Sequence, residues 1–304
     1  MHKISGRWKY GLLLALSTMV MWGVLPILLK GLEEALDPLT VTFARFFLAA
    51  ALLTPYLVFR GNLQNPHLLL SLQKGGLLLL AGVFLAANYI AYILGLERST
   101  AEASQVVIQI APMLLLLCGV LIFRERLSAT QWLGFATFVI GLGLFFHQRM
   151  AELFISVSNY GLGIWLVVLA GLFWTVYAIL QKFLLKSFNS PEIMMSIYWL
   201  GALIFLPFSD FSTLSNLNSL HWILLLFCGL NTLIAYGCFA EALAHWEASR
   251  ISATVTLAPL VTVGIVQLIP LPGIAAETLT IFSFTGALLV VIGSMMTALS
   301  GRNM

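Results

Sequence analysis

Charge is what this chain of 304 residues has least of: 9% of it is Asp, Glu, Lys or Arg, where a soluble globular domain carries roughly a quarter. That shortage, set beside 61% hydrophobic residues, excludes a water-facing surface over most of the molecule. Cysteine is scarce too. Cys118, Cys228 and Cys238 all fall inside apolar runs, where a thiol behaves as a small hydrophobe, so they supply neither a disulfide framework nor a metal-ligand spacing. No cofactor and no metal are expected. His2, His67, His147, His221 and His245 map to termini, loops or predicted helix ends. No Gly-x-Ser-x-Gly, His-Glu-x-x-His or paired-carboxylate motif is present, so enzyme chemistry has no constellation to act through. Acids are missing from the middle of every apolar run, where a proton-coupled drug antiporter would be expected to keep one. Glu102 stands at the start of the fourth run, within reach of a cavity mouth.

Long apolar runs are what the chain does have. Ten approach the ~20 residues needed to cross ~30 Å of hydrocarbon: 10–30, 38–59, 75–95, 101–122, 130–147, 161–184, 191–208, 221–243, 250–270 and 278–299. The first follows Lys3, Arg7 and Lys9, as a signal peptide would. Its apolar part exceeds the ~7–15 residues of a signal core and no small-x-small cleavage site follows, so it is read as a membrane helix. Basic residues in short loops set orientation. With the N-terminus inside, eleven of the fifteen fall on the cytoplasmic side (Lys3, Arg7, Lys9, Arg60, Lys74, Arg124, Arg126, Lys182, Lys186, Arg250, Arg302), three outside (Lys30, Arg98, Arg149), and Arg45 lies within a run. Both termini are expected in the cytoplasm, in a multi-pass protein of the inner membrane. The net charge of +3 reports this bias, and no nucleic-acid partner is implied.

The two halves repeat. MWGVLPILLK (21–30) aligns with FWTVYAILQK (173–182), placing Trp22 over Trp174 at an offset of 152. Pro38 lies over Pro191 at 153, and Pro112 over Pro259 at 147. The offset then returns to 152 for Glu125 over Glu277, Gly134 over Gly286 and Gly141 over Gly293. Five runs per half is an odd number, so the second half must enter the membrane from the opposite side. The expected fold is an all-α integral membrane protein of ten transmembrane helices, arranged as two inverted-topology five-helix repeats, 1–150 and 151–304. Many secondary transporters place their site at such a repeat interface.

At this point the sequence resembles the drug/metabolite transporter superfamily, in particular its EamA-domain family. The resemblance rests on Trp22-Gly23, Pro38 with Arg45, the stretch from Leu96 to Ser104 leading into Pro112, and Glu125-Arg126-Leu127 followed by Gln131, Gly134 and Gly141. The second half departs from the pattern: Tyr198 stands where the first has Arg45, and Pro270-Leu271-Pro272-Gly273 interrupts the approach to Glu277. The resemblance implies movement of small metabolites across the cytoplasmic membrane, often export.

Candidate site residues follow from polarity inside the runs. Gln105, Gln109 and Pro112 share one helix face, and Ser252, Thr256 and Pro259 repeat that spacing. An internal proline removes the bond to the carbonyl four residues earlier, freeing those of Ile108 and Val255. In hydrocarbon these must face protein or a wet cavity, which makes Pro112 and Pro259 candidate hinges. Asn88 and Tyr92 lie one turn apart, with Asn231, Thr232 and Tyr236 in the partner run. Each is either a substrate contact or interhelical glue. Trp22 and Trp174 offer stacking surfaces or plain packing. Arg45 either holds an anionic group or ties helix ends together. The expected function is alternating-access transport of amino acids or related zwitterions by a monomer or weak homodimer in the bilayer. A drug or amine carrier and a non-transporting sensory or structural protein are the rivals. Gly134, Gly141, Gly286 and Gly293 are read as close-packing scaffold, with a dimer contact as the alternative.

Overall fold

A computed structural model describes residues 7–60, 72–123, 127–155, 158–269 and 273–299. Lys3, Arg124, Glu125, Arg126, the Pro270–Pro272 interruption and Arg302 lie outside the described residues. The first repeat contains α1 (Trp8–Lys30), α2 (Pro38–Arg60), α3 (Leu72–Glu97), α4 (Ala101–Val107), α5 (Ile110–Phe123) and α6 (Ala129–Phe145). A short α7 (Met150–Phe154) leads into the second, which comprises α8 (Asn159–Leu184), α9 (Ser190–Phe205), α10 (Ser219–His245), α11 (Ala248–Val255), α12 (Ala258–Leu268) and α13 (Ile281–Leu299). Among the described residues nine helical spans are long and apolar enough to cross a membrane, and Ala129–Phe145 is a shorter tenth. Among the described residues no strand occurs.

Local chemistry sets the starts. Asp37 accepts from the amides of Leu39 and Thr40 beneath Pro38. Ser128 with Gln131, and Asn189 with Glu192, form reciprocal capping boxes, each satisfying two otherwise unpaired groups. The hydroxyl of Thr100 caps α4 through the Ala103 amide. Boundaries differ from expectation by two or three residues in several runs, as at Leu72, where the third begins. The fifth run ends at Phe145, the tenth begins at Ile281, where Thr280 accepts from the Ser283 amide, and the seventh tightens into a 3₁₀ turn at Leu206–Phe208. The proline-bearing fourth and ninth runs are each two helices, broken at Ile108–Gln109 and at Thr256–Leu257. Each break lies just N-terminal to its proline, where the ring meets the preceding turn.

Packing repeats along with the sequence. The helix α3 lies along α8 as α10 lies along α1; α2 pairs with α9, and α6 with α13. These are the contacts of a pseudo-twofold axis running between the halves. The glycines make its closest approach. A Cβ on Gly134 would stand 2.8 Å from the Gly293 carbonyl oxygen, and one on Gly141 would stand 2.8 Å from that of Gly286. The order is crossed because the two helices run antiparallel. These four glycines therefore join α6 to α13 within one chain, through small residues that let backbones touch.

The two ends of the bundle differ. We call the end holding the α1–α2, α3–α4 and α6–α8 connections the far end, and the opposite one, which carries Lys9, Arg60, Lys74 and Lys182, the basic end. At the far end α4 packs on α12 and on α1. Among the described residues the mirror-image pair at the basic end, α5 and α11, makes no comparable contact: α5 lies on α8, and α11 on α1 and α13. The halves thus meet through α4 and α12 at the far end, and through α1 with α11 at the basic end.

Candidate functional site

The proline breaks bring their polar residues to the axis. Gln109 and Thr256, repeat mates, meet directly: Gln109 Nε2 donates to the Thr256 carbonyl at 2.9 Å. The Ile108 carbonyl freed by Pro112 accepts from the Ala111 amide in a tighter turn. Thr175 of the neighbouring α8 donates to the Ala111 carbonyl beside the first break, and Thr262 of α12 donates to the Gly23 carbonyl of α1. Gln105 is buried and accepts from the Tyr92 hydroxyl at 3.3 Å.

Arg45 sits at mid-bundle, 4% exposed. Its Nε donates to Thr232 Oγ1 at 3.2 Å, and its guanidinium lies 4.4 Å from the centre of the Tyr89 ring. Tyr198, its repeat mate, donates to the Thr232 carbonyl at 2.9 Å. The two unlike mates on α2 and α9 therefore converge on one residue of α10. Among the described residues no carboxylate lies within 4.0 Å of Arg45. A buried guanidinium without an acid is costly, and only the hydroxyl and the ring offset it here.

An aromatic group from α1, α8 and α10 stands on the axis side of these helices. The Trp22 ring lies 5.3 Å from Tyr236, edge to face, and 6.0 Å from Phe239. Trp174 and Tyr236 both pack against the same buried cluster. Trp22, Trp174, Tyr236 and Tyr92 are each half-buried. The two asparagines are deeper. Asn88 Nδ2 donates to the Ala170 carbonyl at 2.8 Å and Asn231 Nδ2 to that of Met21 at 2.6 Å. Each joins one repeat to the other beside a tryptophan-bearing turn, so both amides act as interhelical bonds.

Charge gathers in a second group, at the far end. Glu277, in the connection after α12, accepts from Arg149 Nε at 2.7 Å, Thr100 Oγ1 at 2.8 Å and the Tyr160 hydroxyl at 3.0 Å. Arg149 also binds Glu152 and stacks 4.1 Å from the centre of the Tyr160 ring. Burial works against the Arg149 cation, but the adjoining Glu277 carboxylate outweighs it and raises the arginine above its ordinary value. Glu102 is fully buried, which corrects its expected place at a cavity mouth. Its Oε1 accepts from Gln267 Nε2 at 3.0 Å and from the Glu277 amide at 3.1 Å. The network ties α4, α7, α8 and the end of α12 together. Sequence reading missed it: Gln267 and Arg149 are single polar residues near helix ends, and nothing in their spacing points to one another. Glu277 thus pairs with Arg149 as its cation.

The EamA-like transporter family model matches residues 9–146 and 161–299. The chain is 35% identical over 295 residues to an "Uncharacterized transporter" of Haemophilus influenzae, covering 96% of this chain and 95% of that protein. It is also 35% identical over 301 residues to the "Uncharacterized inner membrane transporter YhbE" of Escherichia coli K12, covering 96% and 92%. A Salmonella typhimurium protein named "Probable amino-acid metabolite efflux pump" is 26% identical over 295 residues, 92% of each chain. A solved structure described only as "Crystal structure of protein" shares the fold at a TM-score of 0.65 and 17% identity, over 97% of this chain and 99% of its own.

Proposed function

The chain belongs to the EamA-like transporter family, and from that premise we propose that it exports small organic metabolites, foremost amino acids or related zwitterions, by alternating access. One observation carries the reading. Arg45 is a buried cation at the meeting of the two repeats, and the described residues offer it a hydroxyl and an aromatic face but no carboxylate. A substrate carboxylate completes the pair, as guanidinium forks do. Trp22, Trp174, Tyr236 and Tyr92 give the apolar body of the substrate a wall, while Gln105, Gln109 and Thr256 present amide and hydroxyl groups at the breaks. Asn88 and Asn231 fix the helices behind that wall.

The α4–α12 contact at the far end, which α5 and α11 do not repeat among the described residues, supports loading from the cytoplasm, with both termini there and the protein in the inner membrane as a monomer or weak homodimer. Pro112 and Pro259 let the halves of each broken run swing separately. A drug or amine carrier would use the same aromatic faces, but Arg45 opposes a cationic substrate. The test is flux from liposomes containing the purified protein, loaded with labelled amino acids and amines, with and without a pH gradient. Amino-acid movement that disappears on Gln109→Leu supports the reading. Amine movement alone would replace the substrate class, and no movement of any compound would refute transport of either class.

A further inference from the structure

Three carboxylates and one guanidinium meet in the far-end network. The Arg149 cation is matched twice over, by Glu277 at 2.7 Å and by Glu152 at 3.1 Å. Glu102 adds a third carboxyl and brings no cation with it. Its Oε1 accepts two hydrogen bonds, while its Oε2 is buried with no hydrogen-bond partner among the described residues. An ionised carboxylate has four acceptor sites to satisfy, whereas a protonated one needs fewer and carries no charge. A buried ionised carboxylate with an unpaired oxygen is among the most expensive arrangements a protein can hold.

Among the described residues the other groups around Glu102 do not supply the missing charge. On α1, Lys30 is bound to Glu33 and to the Glu97 carbonyl. On α3, Arg98 lies against Glu97. On α8 the nearest titratable group of the network is Tyr160, bonded to Glu277, and α12 contributes the neutral Gln267.

From this geometry we infer that Glu102 is a proton-binding site of the far-end closure: it holds a proton while α4 is packed on α12 and releases it when they part. The inference rests on reading the chain as a carrier with two end states, but its test needs no substrate. When α4 leaves α12, Oε1 loses Gln267 and the Glu277 amide, water reaches the carboxyl, and ionisation becomes favourable. By linkage, the form that binds more protons is stabilised by acid. Low pH therefore holds the far end closed and higher pH opens it.

The experiment is a distance measurement between nitroxides at Phe154→Cys and Leu268→Cys, both exposed at the far end, in protein whose three native cysteines are replaced, in nanodiscs from about pH 5 to pH 9, the range in which a buried carboxyl titrates. The expected result is a short distance in acid and a growing long-distance population as pH rises. Glu102→Gln, which mimics the protonated form, stays short throughout. Glu277→Gln removes the neighbouring negative charge and moves the transition to lower pH by roughly one unit. A Glu102→Gln protein that titrates like wild type overturns the inference, and so does a wild-type distance that ignores pH. Should Glu102→Gln fail to give folded protein by thermal melting, Glu277→Gln decides: an unmoved midpoint overturns the inference. Failure of the flux assay alongside an intact distance titration counts against the substrate class and leaves this site standing.

Discussion

Replacing Arg45 by Met separates its two possible employments. Methionine fills a similar volume without charge. On the structural side, the variant loses one hydrogen bond to Thr232 at 3.2 Å and one cation–π contact at 4.4 Å, together about 1–3 kcal/mol. Against that stands the removal of a buried charge that has no acid partner, a change that is often neutral or stabilising. Melting temperature in detergent should therefore stay within a few degrees of wild type. Binding tells the opposite story. If Arg45 holds the substrate carboxylate, the variant loses a charge-assisted hydrogen bond of about 1.5–3 kcal/mol, and half-saturation for an amino acid rises roughly 10- to 150-fold. The matching decarboxylated amine, which never used the guanidinium, should show no such loss. The assay is concentration-dependent flux of the acid and amine pair through reconstituted wild type and Arg45→Met. A variant with wild-type half-saturation for the acid but a collapsed melting temperature would refute the reasoning and make Arg45 a strut.

Other outcomes follow from single contacts. Gly141→Leu must push α6 off the Gly286 backbone, 2.8 Å from a would-be Cβ; an overpacked interface costs about 1–3 kcal/mol or more, read as lost melting temperature and lost flux. Gly143→Ala, with nothing within 4 Å, should be silent in both. Pro112→Ala restores the missing amide bond and stiffens the break, so turnover should fall roughly tenfold, equivalent to about 1.4 kcal/mol of barrier, while half-saturation holds. A fall in affinity instead would make Pro112 part of the binding surface. Arg149→Gln leaves Glu277 buried without its cation, at a cost of about 3–5 kcal/mol in the closed state, read as a lower melting temperature.

The sequence makes the scaffold readable because membrane helices and repeats both leave long, regular traces. Ten runs, the inverted halves, the proline breaks and the paired glycines were each legible, since each depends on spacing within a run or on an offset between halves. Even so, Gly134 and Gly141 alone do not say which helix they meet; their crossed pairing with Gly293 and Gly286 emerges only when α6 and α13 lie antiparallel. The site was legible in part. Arg45 announces itself as a charge in hydrocarbon, and Gln109 and Thr256 as mates at the proline breaks. Thr232 stands out as a polar residue of its run, but nothing in the sequence says that Arg45 and Tyr198 converge on it. The far-end network was invisible because Glu102, Arg149, Gln267 and Glu277 lie on four separate segments, each polar at a helix end where polarity is ordinary.

Two identical inverted halves would make a degenerate molecule: exchanging their conformations would give a mirror state of equal free energy, open to the other face. Where this chain rests must then be decided by the positions at which its halves disagree. Ser249 stands where the first half has Glu102, Val120 where the second has Gln267, and Tyr198 opposite Arg45. No mirror copy of the far-end clasp can be assembled from a serine and a valine, so the mirror state has less to hold it shut. The mismatches between the repeats set the resting face, and equalising them one position at a time would move the molecule toward indifference between its two sides.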